Sequence, residues 1–259
     1  MKIFSALRFV GLGLATAGAI TATQTVSAKE FAGGEIAASA AVSNIYLFRG
    51  IDQSAVLFGS GFGSGAISGD INYSHSGAYV GVWATSGLGG TTETDVYLGY
   101  GIELDSGLSI DLNVTSYVYG GNDTTSFFNG SADQVGDFSE VILTVGYSTD
   151  DITGSVQYAD NVAGSSGYTY LAFTADYGDF SATLGVQDLV EPEGQTYDDD
   201  ITHIDITYSY NNNLSFTLSK VIAIDDENNA NKTSEFVFFK NISIDDDAIF
   251  VVTYSLPIE

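Results

Sequence analysis

Polar and apolar residues alternate along most of this chain with a period of two. Ile67, Gly69, Ile71 and Tyr73 share one side of a segment whose other side is Ser68, Asp70, Asn72 and Ser74. Leu108, Ile110, Leu112 and Val114 oppose Ser109, Asp111, Asn113 and Thr115 in the same way, and Phe180, Ala182, Leu184 and Val186 oppose Ser181, Thr183, Gly185 and Gln187. Ile204, Ile206, Tyr208 and Tyr210 oppose His203, Asp205, Thr207 and Ser209. Successive side chains of a strand point to opposite faces, whereas a helix repeats every 3.6 residues. The pattern predicts strands at 36–49, 64–74, 77–86, 93–104, 107–119, 137–148, 151–160, 167–177, 179–188, 200–210, 213–224 and 234–243, with a further candidate at 248–256. Many of these exceed the common globular strand of about 5–6 residues and match the roughly 9–11 that a tilted strand needs to cross a bilayer.

The connections sort by length. Ser74 to Gly77, Asp105-Ser106-Gly107, Thr149-Asp150, Gly178-Asp179, Asn211-Asn212-Asn213 and Ser243 to Asp247 are tight and rich in Gly, Asn and Asp, residues that tolerate hairpin geometry. Gly50 to Gly63, Gly87 to Thr92, Gly120 to Gly136, Asp160 to Gly167, Leu189 to Asp199 and Asp225 to Thr233 are longer, and the two kinds alternate. Membrane barrels are built with tight turns at one end and longer loops at the other. Tyr73, Tyr79, Tyr147, Tyr177, Phe180, Tyr208, Tyr210 and Phe216 lie beside tight turns, as an aromatic girdle at one membrane boundary would.

The N-terminus carries Lys2 and Arg8, no acid, an apolar run from Phe9 to Ile20, and Val26-Ser27-Ala28. That is the pattern of a cleaved secretory signal over residues 1–28, too short for a spanning helix. The expected organisation is therefore 1–28 signal peptide and 29–259 a single barrel. Charge sharpens the picture. The chain has 7 Lys+Arg against 33 Asp+Glu, a net charge of −26, and all the acids lie beyond Ala28. Binding to nucleic acid is unexpected without clustered cations. With no Cys there is no disulfide framework and no thiolate metal site.

Several segments resemble a known family. Asn44 to Ser54 (NIYLFRGIDQS) is similar to the Y-x-F-R-G-I-x-Q-S opening of the TorF-type porins, also called the Gcw_chp family of bacterial outer-membrane proteins. Asp70 to Trp83 resembles that family's D-Y-S-H-x-S-G-F-Y-x-G-x-W segment. Glu93 to Gly101 (ETDVYLGYG) and Asp137 to Glu140 (DFSE) resemble two further elements. The match is strongest over about residues 40–160. It implies an outer-membrane barrel with a pore. Members tend to end on an aromatic residue read by the barrel-assembly machinery; this chain ends Ser255-Leu256-Pro257-Ile258-Glu259.

The expected fold class is all-β, a single antiparallel up-and-down transmembrane β-barrel. Bacterial barrels use even strand numbers, so the candidates reduce to about 12 strands, starting at 36–49 and ending at 234–243 or 248–256, or rise to 14 if a long loop hides one. The apolar face meets lipid and the polar face lines the lumen. That places Asp70, Glu93, Asp95, Glu103, Asp111, Glu140, His203 and Asp205 inward, together with Arg49, the only arginine beyond the signal. Arg49 is expected at the end of the first strand, paired with Glu93, Asp95 or Asp70. Rows of carboxylates in a confined lumen favour cations.

No catalytic arrangement is legible, so no enzyme is expected. His75 and His203 have no nucleophile and acid at readable spacing. His203 and Asp205 are expected as a hydrogen-bonded pair, without metal, and Asp225 to Asn229 lacks the order of a calcium loop. The expected function is a porin of the bacterial outer membrane, passing small hydrophilic solutes with a cation preference and no cofactor. Its expected partners are the lipid bilayer, the assembly machinery and, with no state selected, further copies of itself. A closed barrel with a structural or loop-binding role, with side chains or the loop Gly50 to Gly63 as plug, is one rival reading. A secreted β-sandwich is the other.

Overall fold

The computed structural model describes residues 29–53, 65–88, 91–119, 139–163, 168–189, 199–226, 233–234, 242–243 and 247–258. The expected signal segment, 1–28, lies outside the described residues. Twelve antiparallel strands form the wall: β1 (Gly34–Ser43), β2 (Ala66–His75), β3 (Ala78–Leu88), β4 (Thr91–Glu103), β5 (Leu108–Tyr119), β6 (Ser139–Ser148), β7 (Ile152–Ala163), β8 (Tyr168–Tyr177), β9 (Phe180–Leu189), β10 (Asp199–Ser209), β11 (Leu214–Asp226) and β12 (Ile249–Pro257). Each pairs with the next in sequence, and β12 pairs with β1 over Ser39–Ser43, so the sheet closes on itself. One extra strand, Lys29–Phe31, pairs with the start of β1. Closure leaves the barrel no free edge.

The period of two produces two unlike faces. On the outside, Ile71, Leu98, Leu112, Leu143, Phe173, Leu184, Ile206 and Leu218 are exposed. Inside, Asp70, Asp111, Asn113, Thr115, Thr144, Gln157, Gln187, Thr207, Thr217 and Thr253 are buried. Lys220 interrupts the apolar skin from the outer face of β11, where a long stem can carry an ammonium toward the rim.

Tight turns follow β2, β4, β6, β8 and β10. Between β2 and β3, Ser76 and Gly77 both have positive φ (50° and 88°), the type I′ geometry that matches the twist of paired strands. Between β10 and β11 the Asn211 side chain accepts hydrogen bonds from the amides of Asn213 and Leu214, at 2.8 and 2.9 Å. On the outer face near these turns a row of register partners runs Tyr177, Phe180, Tyr208, Phe216 across β8 to β11. Phe180 and Tyr208 have ring centroids 5.0 Å apart.

Two expectations are corrected, and the choice left open for the last strand is decided. The first strand does not run to residue 49; β1 stops at Ser43 and the chain turns inward. The last strand is Ile249–Pro257, whereas of 234–243 only the ends are described, Thr233–Ser234 pairing with Ile242–Ser243. Ser243 to Asp247 is consequently part of the long β11–β12 connection and not a tight turn.

Candidate functional site

Tyrosines and carboxylates tile the inner wall. Tyr97 donates to Asp70 at 2.7 Å, and Asn72 donates to the other Asp70 oxygen at 2.8 Å. Tyr79 donates within reach of both Asp111 oxygens, at 2.8 and 2.9 Å. Tyr117 donates to Glu140 at 2.6 Å. A hydrogen bond to an ionised acceptor is shorter and stronger than a neutral one, which is how acids persist on a buried face. The rings need room, and glycines supply it: a Cβ at Gly81 would collide with the Tyr97 hydroxyl, and one at Gly99 with that of Tyr79.

The segment after β1 fills the middle. Tyr46, Leu47, Phe48, Arg49 and Gln53 are buried. Leu47–Phe48 and Ile51–Asp52 pair as a minute hairpin, whose turn residues Arg49 and Gly50 both have positive φ (48° and 82°). Tyr46 and Phe48 pack with Ala66, Trp83 and Tyr97. Ile51 packs on Ile201 and Val221 on the far wall. Tyr46 donates to Glu93 at 2.9 Å, and Gln187 donates to the Arg49 carbonyl at 2.6 Å.

Arg49 is the pin of this hairpin. Its Nη1 and Nη2 donate to the two oxygens of Glu140 at 2.7 and 2.9 Å, the bidentate fork that a guanidinium is shaped for. The guanidinium carbon lies 4.7 Å from the Phe48 ring centroid and 4.2 Å from that of Tyr170. Tyr170 in turn stacks on His203 with planes 8° apart, its hydroxyl 3.1 Å from Nε2. His203 Nδ1 sits 3.2 Å from Asp205 Oδ2.

A family model described as "Bacterial protein of unknown function (Gcw_chp)" matches residues 27–251. The chain belongs to the Gcw_chp family. Among curated proteins none matches it. Solved structures similar to this Gcw_chp chain include the KdgM porin (10% identity, 84% of this chain and 95% of that one, TM-score 0.45). They also include the NanC porin (9% identity, 86% and 100%, TM-score 0.47) and OccK5 (OpdH) of Pseudomonas aeruginosa (14% identity, 89% and 69%, TM-score 0.42).

In this Gcw_chp barrel the segments that carried the family resemblance meet in space. Tyr46 and Arg49 reach Glu93 and Glu140, Trp83 lies 5.9 Å from Tyr46 between ring centroids, and Asp70 holds Tyr97. Asp70, Glu93, Asp95, Asp111, Glu140, His203 and Asp205 all lie on the buried inner face. Glu103 has the same parity but sits exposed at the tight-turn end of β4. Arg49 is corrected twice: it stands on the inward hairpin and not on the β1 wall, and the acid it grips in bidentate fashion is Glu140, which was not among the three expected partners. Tyr79 is also corrected; it points inward to Asp111 and is no part of the outer aromatic row. The inner tyrosines Tyr97, Tyr117 and Tyr170 were missed. Parity was the available signal, since Tyr97 shares a face with Glu93 and Asp95. Of the expected plug Gly50 to Gly63, residues 50–53 belong to the inward segment and 54–63 lie outside the described residues. Among the described residues no group of three His, Asp or Glu is arranged to hold a metal.

Proposed function

We propose that this protein is a porin of the bacterial outer membrane, passing small hydrophilic solutes by passive diffusion with a preference for cations. The observation that carries the reading is the pair of faces: an apolar skin with an aromatic row outside, and a closed inner wall bearing Asp70, Glu93, Asp95, Asp111, Glu140 and Asp205. Only a hydrocarbon surround makes the skin favourable, and charge facing lipid at mid-depth costs about 2–4 kcal/mol for a cation. Acids collected within low-dielectric walls make the potential negative, concentrating cations and repelling anions. Passage needs no cofactor and no covalent chemistry, so the reading is a channel and not an enzyme. Lipid is the outer partner, and export of the chain by way of the 1–28 signal belongs to the same proposal. A 12-stranded interior is already narrower than that of a 16-stranded porin, and the 44–53 hairpin narrows it further.

That hairpin favours a second reading, a barrel closed at rest. Reconstitution into planar bilayers tests both. Steady cation-selective current supports the porin; absence of current through wild type together with current through the Arg49→Ala/Glu140→Gln variant supports the closed barrel. Neither species conducting removes the channel reading. Refolding in detergent with a heat-dependent shift in gel mobility separates either from a secreted β-sandwich.

A further inference from the structure

Arginine is an unfavoured residue at the place Arg49 takes. Its φ is 48°, in a turn whose next residue, Gly50, has a φ of 82°. Two-residue turns of this kind favour Asn, Asp and Gly, because a side chain with a Cβ is strained in the left-handed region. The backbone gives no reason for arginine here; the reason lies in the side chain, which reaches Glu140 on β6.

The wall side of this contact is held in place by the wall itself. Glu140, 0% exposed, meets the guanidinium with both carboxylate oxygens, at 2.7 and 2.9 Å. Tyr117 of β5 donates to Glu140 Oε2 at 2.6 Å and so holds the carboxylate. Tyr170 of β8 offers its ring to the guanidinium carbon at 4.2 Å. That ring stacks on His203 of β10, whose Nδ1 in turn lies 3.2 Å from Asp205. From the hairpin come Phe48, 4.7 Å from the same carbon, and the guanidinium. The wall therefore presents a two-oxygen acceptor beside an aromatic plane, and the room of the slot is that of the Arg49 group filling it. A planar guanidinium fits both parts at once, whereas an ammonium makes a point contact. Glu93, Asp95 and Asp205, buried on the same inner face, repel anions from this level.

We propose that Glu140, Tyr117 and Tyr170 form a receptor for a guanidinium group, that Arg49 is its tethered occupant, and that small solutes carrying a guanidinium compete with Arg49 for it. The receptor deepens the cation-selective reading by naming a solute class, and rests on that reading for the route by which such a solute arrives. A short tether gives its group an effective concentration of roughly millimolar order. A solute at or above that level exchanges with Arg49 and withdraws the pin of the hairpin.

Arg49→Ala removes everything beyond Cβ, and ethylguanidinium restores those atoms. The test titrates the detergent-refolded full barrel with ethylguanidinium chloride or ethylammonium chloride, at constant ionic strength set with sodium chloride. The urea midpoint is read through Trp83, the only tryptophan of the chain. The Arg49→Ala midpoint should rise along a saturating curve with ethylguanidinium. The half-saturating concentration should be about tenfold or more below that for ethylammonium, the ratio that one charge-assisted hydrogen bond supplies. Glu140→Gln in that background should abolish the rise. Arg49→Lys keeps a cation against Glu140 without the fork; it should show the same preference at higher concentration, and it serves where Arg49→Ala fails to fold. No saturable rise in whichever variant folds, an equal response to the two probes, or a rise that survives Glu140→Gln overturns the receptor. Failure of the porin reading is distinguishable: saturable binding by a barrel that carries no current keeps the receptor and loses the channel, and a conducting barrel without such binding does the reverse.

Discussion

Truncating Arg49 to alanine removes more than one contact. It deletes the bidentate pair with Glu140, whose side chain is 0% exposed against 4% for that of Arg49. It also deletes the approach of the guanidinium to the rings of Phe48 and Tyr170. Breaking a buried pair by removing one partner costs about 3–5 kcal/mol, because the surviving charge stays buried. Here Tyr117 still donates to Glu140, so the lower half of that range applies, while a desolvated ring contact adds roughly 1–2 kcal/mol that partly overlaps it. The expected loss for Arg49→Ala is therefore about 4 kcal/mol. It is capped at the docking free energy of the hairpin, since beyond that the hairpin leaves its bed and the strands remain paired. Glu140→Gln in the Arg49→Ala background removes the stranded charge and should recover about 2 kcal/mol, a coupling of the size seen between residues of one network. Urea unfolding in detergent, followed through Trp83 beside Tyr46, measures all four corners of the cycle. Losses within about 1 kcal/mol for Arg49→Ala, or strictly additive corners, would refute the claim that this pair pins the hairpin.

Three other outcomes are expected. Gly50→Ala places a Cβ against the His203 ring at a φ of 82°, which costs about 1–2 kcal/mol from backbone strain alone and should loosen the hairpin; a urea midpoint equal to wild type contradicts the fit. Tyr79→Phe removes the donor to Asp111 and should cost about 1.5–3 kcal/mol in the same assay, whereas an outward girdle tyrosine at that position would lose a few tenths at most. Replacing Glu93, Asp95 and Asp111 together by Gln, Asn and Asn should move the reversal potential in a salt gradient toward the unselective value, and an unchanged potential would sever these acids from ion selection.

The alternation read from the sequence is the same alternation that separates skin from interior, with Ile71, Leu112, Phe180 and Leu218 exposed and Asp70, Asp111 and Asp205 buried. Where it misled, the cause is specific. Tyr46, Leu47 and Phe48 are consecutive and all buried, a pattern that an apolar stretch of strand would also present. Their burial comes from being surrounded within the barrel, and the positive φ angles at Arg49 and Gly50 end any strand there. Tyr79 was assigned by its nearness to a tight turn, although its parity with Gly81 and Trp83 points inward. The partner of Arg49 lies 91 positions away. No local spacing encodes that distance; it follows from where curvature brings β6 relative to a hairpin that departs from β1.

The β12–β1 join is short: Thr253 to Pro257 against Ser43 to Ser39, while β1 and β2 are in register from Glu35–Ser74 to Ser43–Ala66. The hairpin leaves β1 at the very end of that join. Its bed is built from strands as late in the chain as β10 and β11, so it finds its full set of neighbours only when nearly the whole wall exists. Its seating tethers the first strand to the opposite side and braces the least extensive junction from within. The two ends of the wall are thereby held by more than their own short ladder, because an early piece of chain lies locked among late ones.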